Sequence, residues 1–128
     1  MFSLFSSRKK REKLSHLKSL VAIAMADGKV LKSELTTIAM ICKREGLTED
    51  DLQRCQNSPD SIDFTPPKDM GTRLRYLRDM VLVMICDGDI DSNEMHGCKL
   101  AAIALGFNPQ IVEAMVGDII NDLRNNMQ

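Results

Sequence analysis

The sequence predicts an all-α fold, a compact bundle of about six main helices built from two three-helix repeats. Three observations predict it. Apolar residues recur at helical spacing, with Leu14, Leu17, Val21 and Met25 on one stripe and Leu74, Leu77, Val81 and Ile85 on another. Both stripes belong to a gapless internal repeat in which residues 13–55 overlie residues 73–115. In that register Asp27, Gly28, Glu34 and Gly46 meet Asp87, Gly88, Glu94 and Gly106. Nowhere does the chain alternate apolar and polar residues convincingly in the manner of a half-buried strand.

The elements follow in order. Phe2, Leu4 and Phe5 predict a short helix or tail packed on the body or on a neighbouring subunit. The helix carrying the Leu14 stripe ends at Asp27-Gly28, where glycine accepts the left-handed conformation beyond a last turn. After a turn over Asp27–Lys32, a second helix carries Leu35, Ile38 and Cys42 and stops at Gly46. Thr48 is placed to N-cap a short third helix marked by Leu52 and Cys55. Residues 57–69 contain Pro59, Pro66 and Pro67 and form the connector between halves. Ile62 and Phe64 make it too apolar for a free linker, so it is expected to lie across the bundle. The second half repeats the scheme: the Leu74 stripe, a turn over Asp87–Ser92, and a helix marked by Met95, Cys98 and Ala102 that ends at Gly106. Asn108 is the expected cap of a long last helix, with Pro109 in its first turn and Ile111, Val112, Met115, Val116, Ile119 and Leu123 as its apolar face. Two regions result: a basic N-terminal segment over residues 1–13 and one helical domain over residues 14–128.

Composition bounds the function. At 128 residues a single domain is expected, large enough to bury a core without disulfides or metal. Seventeen Lys and Arg against 18 Asp and Glu leave a net charge of −1, which excludes the strongly basic footprint of a nucleic-acid binder. Aromatics make up 4 % and there is no Trp, which also argues against a base-stacking platform. Charge is uneven: Arg8, Lys9, Lys10, Arg11 and Lys13 face Glu12 alone, so a basic start precedes an acidic body. These basic residues follow the apolar start, the reverse of a secretory signal, and cytoplasmic residence is the expectation. Cys42, Cys55, Cys86 and Cys98 include no Cys-x-x-Cys pair and read as reduced core thiols.

The chemistry-bearing motif is the acidic turn. Ala26-Asp27-Gly28-Lys29-Val30 with Glu34, repeated as Cys86-Asp87-Gly88-Asp89-Ile90 with Glu94, resembles the signature of the tellurite-resistance TerB-like family over roughly residues 10–124. The resemblance implies a compact all-helical fold, an association with tellurite resistance and stress, and a divalent-metal site on the acidic motifs. Lys29 and Leu31 stand in the first turn where Asp89 and Asp91 stand in the second, which departs from the richer motif.

Two readings of the turns stand side by side. Asp91 and Glu94 have the spacing of a capping box, and acidic residues in a first turn complement the helix dipole. Asp27 and Asp87 fall instead at helix C-termini, where negative charge is disfavoured, so a compensating partner is expected. Asp87, Asp89, Asp91, Asn93 and Glu94 offer the hard oxygen ligands that Ca²⁺, Mg²⁺ or Mn²⁺ prefer, and Asp27 and Glu34 are the weaker first-half set. The geometry is not an EF-hand, since Ser92 and Cys98 replace the required Gly and Glu. His96 and His16 are expected to be non-ligating, and no nucleophile–base pairing or phosphate loop supports an enzyme. The expectation is a non-enzymatic cytoplasmic TerB-like protein that acts through protein partners, with homo-oligomerisation open through the apolar last helix. The alternatives are a metal-dependent hydrolase and a membrane-surface adaptor docking through residues 1–13.

Overall fold

A computed structural model describes residues 4–127 of the chain. Among these residues the fold is all-helical: α1 (Leu4–Ala24), α2 (Lys32–Glu45), α3 (Glu49–Asn57), α4 (Met70–Ile85), α5 (Ser92–Ala104) and α6 (Ile111–Asn126), with a 3-10 turn at Pro59–Ser61. The expected packing of Phe2, Leu4 and Phe5 falls outside the described side chains. Leu4 opens α1, so the basic run is part of that helix and not an appendage to it.

Helices α1 and α4 form the central pair, and each also touches α2 and α5. Their facing stripes bury Leu14, Leu17, Leu20, Val21 and Ala24 against Leu77, Met80, Val81, Val83 and Met84. Complete burial of such side chains contributes about 1.5–3 kcal/mol each, which makes this pair the anchor of the bundle. The ends of the stripes differ from expectation. Met25, Leu35 and Leu123 face solvent, and so does Leu74, which borders Met115 and Ile119 of α6 at the surface instead of α1. Cys86 is exposed as well, against the expectation of a core thiol: it caps α4 beyond its last buried turn and donates to the Val83 carbonyl at 3.2 Å. Cys42, Cys55 and Cys98 are buried as expected.

The turns that end α1 and α4 share one construction. Gly28 and Gly88 take φ of 82° and 87°, a conformation that a β-carbon disfavours. Their N–H groups donate to Met25 and Ile85 carbonyls at 2.9 and 3.0 Å. Asp27 Oδ1 then accepts the Lys29 N–H at 3.0 Å, and Asp87 Oδ1 accepts the Asp89 N–H at 3.1 Å. Each aspartate thus folds its own turn through a local side-chain bond.

The connector does lie across the bundle. Ile62 is buried, Lys18 donates to its carbonyl at 2.8 Å, and the Thr65 N–H donates to Ser15 Oγ at 2.8 Å. Phe64 stays exposed. Helix α6 starts at Ile111, two residues beyond Pro109, because Asn108 Oδ1 takes the Gln110 N–H at 2.9 Å and closes a turn ahead of the helix. Gly97 lets α5 approach α1 closely, since a β-carbon there would meet Ile23 Cδ1 at 2.9 Å. This approach brings the start of α5 to the end of α1.

Candidate metal centre

Asp27, Asp91 and Glu94 converge there. Each presents a carboxylate oxygen, and these oxygens lie within 4.8 Å of one another. Asp27 is exposed, Asp91 half-buried and Glu94 buried, so the group opens to solvent on the Asp27 side. Asp27 comes from the turn after α1, while Asp91 and Glu94 come from the start of α5. The acidic turns therefore meet in one cluster drawn from both halves of the chain. Asp87, Asp89 and Asn93, also singled out from sequence, stand outside this three-carboxylate group, while Glu34 lies beside it against Glu94.

The two helix starts show why Glu94 is special. In α2, Glu34 Oε1 reaches back to accept the Leu31 N–H at 2.8 Å, the return bond of a capping box. In α5, Asp91 makes the forward bonds, accepting from the N–H groups of Asn93 at 2.9 Å and Glu94 at 3.0 Å. Glu94 does not make the return bond: its Oε1 is buried with no hydrogen-bond partner among the described residues. Capping therefore accounts for Glu34 and Asp91, while Glu94 turns its carboxyl toward that of Glu34 instead of toward the backbone.

The electrostatics point the same way. Burial first, then the neighbouring Glu34 carboxyl, and then the charges of Asp27 and Asp91 push the Glu94 carboxyl up to about 8. Three further carboxyl groups thus crowd around the buried Glu94 carboxyl, which holds a proton near neutral pH to relieve the repulsion. A strongly perturbed carboxyl in a cluster open to solvent marks a candidate functional position. The donor set is all oxygen, with three carboxylates and no thiolate or imidazole, which matches hard divalent cations. His96 is exposed and does not join the group.

A second polar cluster lies between α1, α2 and α4. Asp79 is 2 % exposed and holds His16 Nε2 at 2.8 Å on one side and the Arg44 guanidinium, in two bonds, on the other. The His16 ring stacks on Tyr76 with centroids 3.7 Å apart and planes parallel within 1°. Burial opposes charge on Asp79, but hydrogen bonds from His16 and Arg44 outweigh it and hold the carboxyl below its ordinary range. Sequence reading missed this network. The only signal was a His on the leucine-bearing stretch of α1 and an Asp between Leu77 and Val81, and neither reveals a partner on another helix.

The basic run of α1 is largely engaged by the body. Arg8 bonds Glu12 at 2.9 Å and the Pro66 carbonyl at 3.2 Å, Lys10 pairs with Asp51 at 2.9 Å, and Lys13 donates to the Glu45 carbonyl at 3.0 Å. Among the described residues no helix is long and apolar enough to cross a membrane. No family model, curated protein or solved structure matches this chain.

Proposed function

We propose that this chain is a non-enzymatic helical module that binds one hard divalent cation, Ca²⁺, Mg²⁺ or Mn²⁺, between its two halves. Asp27, Asp91 and Glu94 supply the ligands. The buried Glu94 carboxyl carries the reading, since it takes no backbone N–H as a helix cap would and instead faces the carboxyls of Glu34, Asp27 and Asp91. A cation at the cluster would neutralise three crowded carboxylates and tie the end of α1 to the start of α5. The resemblance of the doubled acidic turn to TerB-like proteins supports a cytoplasmic role in a stress or tellurite-resistance response, exercised through protein partners.

Calorimetric titration of the whole chain with each of the three cations tests this. We expect one site per chain. Asp27→Asn and Asp91→Asn should each weaken binding by about tenfold or more, because hard-cation affinity follows the number of charged ligands. Asp87→Asn, outside the cluster, should change it little. Absence of binding by the wild type at millimolar cation overturns the proposal. Loss of binding in Asp87→Asn with retention in Asp27→Asn would move the site to the second turn alone.

A further inference from the structure

The connector and the buried histidine meet in one place. Residues 58–69 form a strap held to the body by side-chain bonds. Lys18 holds the Ile62 carbonyl, Ser15 the Thr65 N–H, Arg8 the Pro66 carbonyl and Arg73 the Pro67 carbonyl. Beneath it lies a cavity of about 10 Å³, lined by Phe64, Thr65, Pro66 and Pro67 from the strap and by His16 and Tyr76 from the helices. A space of that size takes a single water at most.

His16 sits in this space with one nitrogen satisfied. The ionised Asp79 carboxylate can only accept, so His16 donates from Nε2 and its Nδ1 is left as a bare acceptor. Nδ1 is buried and has no hydrogen-bond partner among the described residues. In the closed arrangement a proton on Nδ1 gains no protein acceptor, whereas lifting the strap would give it solvent.

We propose that His16 is the proton sensor of a latch, in which protonation of Nδ1 releases the 58–69 strap from α1. The charges around it fit that role. From α4, Asp79 faces His16 but is already neutralised by Arg44 of α2, and Arg75 lies over the Tyr76 ring at 5.8 Å. From α2, Glu45 is engaged by Arg44 and Arg75. On α1 itself Glu12 is paired with Arg8, and Lys13 points to the Glu45 carbonyl. The strap contributes no charged side chain to the cavity, and Leu105, the residue that α5's C-terminal end adds, is apolar. Burial therefore lowers the imidazole's proton affinity more than Asp79 restores it.

Amide exchange and histidine ring signals, followed by nuclear magnetic resonance from pH 7 to pH 5, test the latch. An open strap gives His16 its ordinary proton affinity. Protection of the Thr65 amide, corrected for intrinsic exchange, should then fall by up to roughly threefold at pH 6 and roughly 25-fold at pH 5, relative to pH 7. The Leu77 amide in the core should keep its protection over the same range, and His16→Gln should flatten the Thr65 profile. Three results overturn the latch: a flat Thr65 profile in the wild type, an equal fall in His16→Gln, or a fall shared equally by Leu77. If His16→Gln does not fold, the wild type still decides the matter, because the His16 ring and the strap must titrate together.

Discussion

Cation binding at Asp27, Asp91 and Glu94 must compete with a proton. The Glu94 carboxyl is raised to about 8 by burial and by Glu34, so it is protonated near neutrality and must lose that proton to become a ligand. With one competing proton of affinity near 8, apparent cation affinity should rise roughly fiftyfold from pH 6 to pH 8 and only about twofold more from pH 8 to pH 9. Calorimetry in two buffers of different ionisation enthalpy should report about one proton released per cation at pH 6.5 and almost none at pH 9. Stability of the cation-free chain gives an independent readout. The folded-state value lies above the ordinary 4.5, so the stabilising contribution is complete below about 4.5 and is lost as pH rises through about 8. Added cation should restore what is lost at high pH. Glu94→Gln should bind more weakly, with a flat pH profile. A wild-type affinity that does not change between pH 6 and pH 8 would mean that no titrating carboxyl takes part in binding, and Glu94 would not be a ligand.

Two further outcomes follow from the same structure. Leu31 occupies, 60 residues earlier, the position of Asp91, and Glu34 and Asp87 occupy the matching positions around it. Leu31→Asp should therefore raise calorimetric stoichiometry from one cation to two; an unchanged stoichiometry would show that the two turns are not geometrically equivalent. Asp79→Ala removes the acceptor shared by His16 and Arg44 and should destabilise the fold by about 3 kcal/mol in chemical denaturation, in the range for breaking a buried charge pair. A loss below about 1 kcal/mol would show that water replaces Asp79 at little cost.

The all-helical fold was legible because helical periodicity and punctuation are local properties. The Leu14 and Leu74 stripes, Gly28, Gly46, Gly88 and Gly106 at the turns, and Thr48 as an N-cap all act within a few residues of themselves, and the structure bears out each of them. The stripes were less reliable at their ends. Whether Met25 or Leu74 is buried depends on which neighbouring helix covers that position, which spacing along one helix does not encode.

The acidic turns were legible as a pair of motifs but not as a site. By itself the sequence determined the local chemistry: an aspartate closing each turn, an acidic residue three positions into α2 and α5, and oxygen ligands suited to a hard cation. The tertiary structure alone decided which of those side chains meet. Close packing of α5 on α1 at Gly97 sets Asp27 beside Asp91 and Glu94, and leaves Asp87 and Asp89 outside the group. The same holds for His16, which depends on Asp79 63 residues away and on Tyr76 for its stacking face. The physical reason is common to both. Turn and cap bonds span a few residues and can be read from spacing, whereas a buried carboxyl's partners are fixed by helix–helix distances that no local pattern specifies.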